Sequence, residues 1–159
     1  MCYALNHPDV YSILLGFVAG LFSTLLMTLT ELPSWKRWGL HGVFEWHENQ
    51  VIVTKVLKLA SDKTHFTGIF ALHFLNGGLG GIGFLIALWI FPGGVSHIFA
   101  SALIYGFFLW IVTLIPIHKP ITGLSPWKHP LGYLPILASL GGHVVYAAVL
   151  GYFFMNTPF

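Results

Sequence analysis

Residues 71–88, ALHFLNGGLGGIGFLIAL, decide the fold. This run holds five glycines, one histidine and one asparagine among otherwise apolar residues. On a helix, at about 100° per residue, most of its small and polar residues gather within about 80° of His73. The residues in this arc are Asn76, Gly77, Gly80, Gly81 and Gly83, together with Phe84. The opposite face carries Leu75, Leu79, Ile82 and Ile86. Such a division is typical of a membrane helix that packs against protein on one face and lipid on the other.

The composition of the whole chain also indicates a membrane protein. Its 159 residues are 56% hydrophobic, 16% aromatic and only 8% charged, with a mean hydropathy of +0.79. A soluble domain carries roughly 25% charged residues. The formal net charge of +2 and the lack of a basic stripe argue against nucleic acid as a partner. A single cysteine, Cys2, excludes an intrachain disulfide framework. The lipid bilayer is the expected partner.

Four uncharged apolar runs predict a single all-α membrane domain, a bundle of four transmembrane helices. The spans cover about residues 11–30, 66–91, 97–117 and 131–154. The polar segment between the first two predicts an amphipathic helix over about residues 43–60, lying at the cytoplasmic membrane interface. We expect Pro33 to end the first span. We also expect residues 116–130, with four prolines, to form a stiff loop without helix.

Small residues recur at helical spacing and predict where the spans pack together. Close approach of two membrane helices requires residues with little or no side chain at the contact. The predicted packing positions are Gly16, Gly20, Thr24 and Thr28 in the first span, Gly77, Gly80 and Gly81 in the second, and Gly151 in the fourth.

The positive charges predict the orientation. All seven Lys and Arg residues lie in the first and third loops, and none lies near either terminus or in the second loop. Because positively charged loops remain in the cytoplasm, both termini are expected on the outer side of the membrane. The membrane is expected to be the plasma membrane of the cell.

His73 and His143 are the leading candidates for chemistry, because an ionisable side chain inside a span indicates function. Both lie on the small, polar face of their helix, so we expect them to be neutral and to point into the bundle. They could ligate a b-type haem, or one transition metal with Asn76 or Tyr146. In the alternative they are structural, each bonded to a threonine, a tyrosine or a backbone carbonyl. A proton or substrate path is the third possibility.

The first loop holds a second candidate site, formed by His41, Glu45, His47 and Glu48. The spacing of His41, Glu45 and Glu48 would place all three on one helical face. Such ligands suit Zn, Fe, Mn or Cu, and the alternative is the solvated face of an interfacial helix.

Three more ionisable residues have simpler interpretations. Glu31, at the inner membrane boundary, is expected to pair with Lys36, Arg37 or His118. His118 and His129 are expected at the membrane interface, without a catalytic role.

Three segments resemble parts of uncharacterised small four-helix prokaryotic integral membrane proteins. The segments are GFVAGLFSTLLMTL, ALHFLNGGLGG and GGHVVYAAVLGYFF. In those proteins the last span ends near an H-x-x-Y-x-x-x-x-G element, here His143, Tyr146 and Gly151. The resemblance implies the fold and no activity. In size the chain is similar to small accessory subunits of respiratory or monooxygenase complexes.

Three functions remain open at this point. The first is a non-catalytic accessory subunit that packs beside other membrane subunits or associates with itself, since no catalytic constellation is recognisable. The second is a redox subunit in which His73 and His143 bind haem or a metal. The third is a carrier of protons or small molecules that works as an oligomer.

Overall fold

The structure, a computed structural model, describes residues 9–157, and over that range helices are joined by turns and loops, without strands. Residues 1–8, which include Cys2, and residues 158–159 lie outside it. The six α-helices are α1 (Val10–Trp38), α2 (Phe44–Val56), α3 (Phe66–Ile90), α4 (Ile98–Val112), α5 (His118–Thr122) and α6 (Leu134–Asn156).

Four helical segments are long and apolar enough to cross a bilayer. They cover Val10–Gly42, Phe66–Ile90, Pro92–Thr122 and Leu134–Asn156. This finding confirms the expected all-α class with four long apolar helices, and it gives the chain the architecture of a multi-pass membrane protein.

Proline does not end the first and third spans where the sequence suggested. Pro33 lies inside α1, which continues to Trp38. In the third span, a π-helical turn over Thr113–Ile117 contains Pro116 and leads directly into α5. There the amide of His118 donates to the carbonyl of Thr113, five residues earlier. The wider turn accommodates a residue that lacks an amide hydrogen, so the helix continues and brings His118 into the protein core.

The loop helix was predicted to be amphipathic, with its polar residues outside the protein, and this part of the prediction was wrong. The helix exists, as α2, but most of its polar residues lie inside the protein: Glu45, Glu48, Asn49 and Gln50 are buried together with Phe44, Trp46 and Val53. It packs against α3, α5 and α6. Its buried amides have partners, because Asn49 donates to the carbonyl of Ile69 and Gln50 to that of Lys63. Polar groups on the neighbouring helices therefore decide which face of α2 is buried.

Helices α1 and α3 touch backbone to backbone through glycines. A Cβ atom on Gly20 would lie 2.2 Å from the carbonyl oxygen of Gly77, and one on Gly81 would lie 2.1 Å from that of Gly16. One on Gly77 would lie 1.6 Å from Oγ1 of Thr24. Only residues without a side chain fit these positions. The hydroxyls of Thr24 and Thr28 donate to carbonyls one turn earlier in α1.

The other small residues face side chains. A Cβ atom on Gly80 would lie 2.8 Å from the hydroxyl of Tyr146, and one on Gly151 would lie 2.9 Å from Cβ of Ala102. On the opposite face of α3, Leu75, Leu79 and Ile86 are exposed as expected. Ile82 is not: it is half-buried, and its Cα lies 3.4 Å from where a Cβ on Gly16 would stand.

The helices leave a space between α3 and α4. Helix α1 packs on α3 and α6, and α6 packs on α4. Within residues 9–157, α3 and α4 make few direct contacts although they follow each other in the chain. The hydroxyl of Tyr105 on α4 donates to the carbonyl of Gly80 on α3 at 2.8 Å and bridges the two helices. A cavity occupies the inner part of this space.

Alanine at Gly20 and at Gly141 makes a matched pair that tests the glycine contact. Gly20→Ala forces two backbones apart, so we expect a loss of about 1–3 kcal/mol, as for other overpacked sites. A Cβ on Gly141 meets nothing within 4 Å. Gly141→Ala should therefore be neutral or stabilise by up to about 1 kcal/mol through helix propensity. Unfolding in detergent measures both, and equal stabilities would show that α1 and α3 do not touch at Gly20.

Candidate functional site

A cavity of about 290 Å³ lies among α1, α2, α3, α6 and the third span, and is called the inner cavity below. Its polar lining includes Glu45, Glu48, His73, Asn76, His143 and Tyr146. The third span contributes apolar side chains, among them Leu109 and Ile117. The cavity therefore combines ionisable groups with an apolar wall, as small-molecule sites commonly do.

Three carboxyl groups at or next to this cavity each lie close to one imidazole. Glu45, Glu48, His73 and His143 line the cavity, while Glu31 contacts His73 and His118 contacts Glu48. The distances are 3.5 Å from Oε2 of Glu31 to Nε2 of His73, 3.6 Å from Oε1 of Glu45 to Nδ1 of His143, and 2.8 Å from Oε1 of Glu48 to Nδ1 of His118. None of the six residues exposes more than 9% of its surface. These six residues are called the Glu–His cluster. Because an unpaired buried charge costs several kcal/mol, the pairing is what permits their burial.

His73 and His143 are both buried and both line the inner cavity. The threonines and tyrosines expected as their partners bond elsewhere, since Tyr105 and Tyr146 donate to the carbonyls of Gly80 and Gly77.

The contacts of His143 define its tautomer. Its Nδ1 lies 2.9 Å from the carbonyl oxygen of Ser139, and a carbonyl can only accept. In the neutral ring, Nδ1 therefore carries the hydrogen and Nε2 keeps a free lone pair. The hydroxyl of Ser139 donates to Glu45. Glu45, Ser139 and His143 thus form one connected unit, with an imidazole nitrogen available to accept a proton.

Glu31 connects three helices rather than pairing with Lys36, Arg37 or His118 as expected. The indole nitrogen of Trp46 on α2 donates to its Oε2 at 2.8 Å. Its Oε1 lies 3.1 Å from where a Cβ on Gly142 of α6 would stand, so this glycine makes room for the carboxyl group. Glu31 also interacts with the side chain of Glu45.

Several atoms of the cluster have no hydrogen-bond partner although they are buried. They are Oε1 of Glu31, Oε2 of Glu45, Nε2 of His73 and Nε2 of His118. Nε2 of His73 belongs here because its approach to Glu31 at 3.5 Å does not form a hydrogen bond. Buried polar atoms in proteins are nearly always paired, with water or a ligand where no protein group is available. The unpaired atoms therefore mark places for protons, water or a solute.

The four residues predicted as a metal site are not brought together. Glu45 and Glu48 line the inner cavity, whereas the rings of His41 and His47 pack against each other with centroids 4.8 Å apart. The reason is that α2 begins at Phe44, so His41 lies in the preceding turn and not on the same helical face. Among residues 9–157, no three His, Cys, Asp or Glu side chains are arranged to hold a metal ion.

Two histidines expected at the interface belong to the interior. His118 is fully buried against Glu48, and His129 exposes 6% of its surface. The continuation of the third helix through Pro116 brings His118 inside. Glu48 lies 70 residues from His118 in the chain, and no local pattern connects them.

Burial shifts the pKa values of two adjacent residues of α2, Glu48 and His47. It raises the pKa of Glu48 to about 9, and the neighbouring charge of Glu45 acts in the same direction. Burial lowers the pKa of His47 to about 4, assisted by repulsion from His41, His118 and His129. At pH 7, Glu48 is therefore protonated and His47 neutral.

No protein-family model, curated protein or solved structure matches the chain.

Infrared titration should show protonated Glu48 at pH 7 as a carboxyl C=O band that Glu48→Gln removes. The band should disappear as the pH rises through about 9. Because the folded-state pKa lies above the ordinary 4.5, the stability contributed by this group is fully present below about pH 4.5 and is lost as the pH rises through about 9. A band already absent at pH 7 would contradict this assignment.

Proposed function

We propose that the protein is a membrane carrier that exchanges protons for a small organic cation at the Glu–His cluster. The observation that supports this function is that Glu45, Glu48, His73 and His143 line one cavity. With Glu31 and His118 next to it, they form three pairs of a buried carboxyl group and a buried imidazole. Four of the six residues lie in the long apolar segments, and Glu45 and Glu48 reach them from α2. Ionisable groups inside a span mark proton relays and substrate paths, and a subunit that only packs has no need of such a cluster.

The chemistry of exchange follows from charge balance. A protonated carboxyl group on the cavity wall is neutral, and it becomes an anion when its proton leaves. A bound cation neutralises that anion, so the cavity favours either the proton or the cation. The apolar side chains of Leu109, Ile117 and Ile121 on the same wall suit an organic amine better than a hydrated inorganic ion. Asn76 and Tyr146 add hydrogen-bonding groups.

The proposed orientation has both termini outside the plasma membrane and α2 at the cytoplasmic side. It follows from the location of all seven Lys and Arg residues in the first and third loops. The folded chain supports it in one respect, since Nζ of Lys55 after the first span donates to the carbonyl of Ile121 after the third, at 2.8 Å. The two positively charged segments therefore meet at one end of the bundle.

An accessory subunit is the second candidate, and α4 is the observation that favours it. Only 17% of the apolar window in the third span is buried within the chain. Ile104, Phe107 and Phe108 expose 71%, 51% and 57% of their surfaces. Lipid, another membrane subunit of a respiratory or monooxygenase complex, or a second copy of the chain would cover this face.

A redox role for His73 and His143 is supported less well. The free Nε2 of His143 suits a haem iron or a transition metal. However, each imidazole is already paired with a carboxyl group, and no third ligand within residues 9–157 is arranged around a common point with them. A Soret band or bound metal in the purified protein would favour this role.

Transport in liposomes tests the carrier. An imposed gradient of a small amine should drive proton movement, read by an internal pH-sensitive dye. Glu45→Gln cannot ionise, so it should reduce the rate to that of empty liposomes. Leu79→Ala, on the exposed face of α3, should retain the wild-type rate. Wild-type protein that is no faster than empty liposomes would contradict the carrier.

Reporter fusions test the orientation. A reporter that is active only outside the cytoplasm should be active at the C-terminus and inactive in the loop around residue 60. The reverse pattern would place the positive loops outside and reject the proposed orientation.

A further inference from the structure

A second cavity, of about 260 Å³, lies on the other side of α2 and is called the outer cavity. Its lining includes His41, His47, Gln50, Ser61, Asp62 and Lys63, so it is polar enough to hold water. His47 faces the outer cavity, and the next residue, Glu48, faces the inner one. Helix α2 therefore separates two polar spaces.

Three histidines connect these spaces, and their burial increases along the way. His41 is exposed, His47 is half-buried and His118 is fully buried. The ring centroids of His41 and His47 lie 4.8 Å apart, and those of His47 and His118 lie 6.2 Å apart. From His118, Nδ1 reaches Oε1 of Glu48 at 2.8 Å. The separation of His41 and His47 permits direct proton transfer after a ring rotation. The separation of His47 and His118 is too long for a direct hydrogen bond, so one water must bridge it.

Two of these three histidines have a ring nitrogen without a hydrogen-bond partner. Nδ1 of His47 and Nε2 of His118 are buried and have no hydrogen-bond partner. A neutral imidazole accepts a proton at one nitrogen and releases one from the other, which no other side chain does near neutral pH. His129 lies beside these histidines, with its centroid 6.1 Å from that of His41. Its Nδ1 accepts from the amide of Leu131, so its neutral ring has a hydrogen on Nε2 and is a poorer acceptor.

We infer that His41, His47 and His118 form a proton path that leads from the outer cavity to Glu48 at the inner cavity. The inference deepens the proposed carrier function and rests on it for its purpose. In each passage, one hydronium gives its proton to His41, and the proton moves through His47 and His118 to the Glu48 carboxylate. Water and a protonated carboxyl group are the products, and each imidazole ends neutral.

The groups around His47 make it a residue that passes a proton on and does not retain one. The titratable groups near it are His41 in the preceding turn, His118 on α5, His129 in the third loop, Glu45 and Glu48 on α2, and Asp62 and Lys63 across the outer cavity. With a pKa of about 4, His47 does not hold a proton at pH 7. With a pKa of about 9, Glu48 does. Once Glu48 has released its proton into the inner cavity, a proton that reaches His47 therefore moves on to the Glu48 carboxylate.

A pH-jump experiment tests the path without requiring transport. Purified protein is moved from above to below pH 9, and the carboxyl C=O band assigned with Glu48→Gln is followed in time. We expect His47→Ala to slow its appearance at least about tenfold, since a positioned acid–base group contributes about 10²–10⁴-fold to proton transfer. Free imidazole should restore the rate by occupying the space left by the ring.

Two further variants distinguish loss of the proton path from misfolding. His41→Ala changes an exposed side chain and should also slow the band, while leaving its final amplitude unchanged. His97→Phe, an exposed histidine in the turn between α3 and α4, is the matched control and should behave as wild type. Wild-type rates in both His41→Ala and His47→Ala would overturn the path.

The path and the carrier fail in different ways. Slow protonation in the variants, together with absent transport by wild type, would support the path and contradict the carrier. Normal transport together with unchanged protonation rates would support the carrier and overturn the path.

Discussion

The contact between α1 and α3 is the constraint on which the site depends. With glycine at positions 16, 20, 77 and 81, the two backbones approach closely enough to touch. Side chains on a helix tilt towards its N-terminus, so the carboxyl group of Glu31 in α1 tilts back towards His73 in the neighbouring antiparallel helix. A wider separation of the helices would break this pair and leave two ionisable groups unpaired inside the protein. The glycines therefore position charges as well as backbones.

Helix α2 completes the site because it enters the bundle with its polar face inwards. It provides Glu45 and Glu48 to imidazoles on α6 and α5, and its Trp46 donates to Glu31 on α1. Desolvation of these groups is expensive, and their hydrogen bonds offset only part of the cost. The remaining cost explains why the pKa of Glu48 is raised and why several atoms stay unpaired. Buried ionisable groups with unpaired atoms respond strongly to a proton or a cation, as the proposed carrier requires.

The two cavities give α2 a further role as the wall between them. A helix that was amphipathic in the ordinary sense would present its charges to water and its apolar residues to the bundle. Here the adjacent residues His47 and Glu48 line different cavities. The proposed proton path crosses the wall through side chains, and the core residues Phe44 and Trp46 are fully buried beside it.

The sequence by itself determined the helical class, the four apolar segments and the exposed face formed by Leu75, Leu79 and Ile86. These features follow from helical periodicity and from the cost of placing polar groups in lipid, which act within one segment. It also singled out His73, His143, Glu45 and Glu48 as ionisable residues at unusual positions. The proposed orientation rests mainly on the sequence, because it depends on the distribution of positive charges.

Only the tertiary structure decided which partners these groups have. Glu48 meets His118 across 70 residues, and Glu45 meets Ser139 across 94. The helix through Pro33 and Pro116, the buried polar face of α2 and the interior position of His118 depend on neighbours that no local pattern specifies. Local propensity favoured a break at each proline and a solvated α2. Packing against the other helices overrode it, because a buried polar group is stable only where another segment supplies its partner.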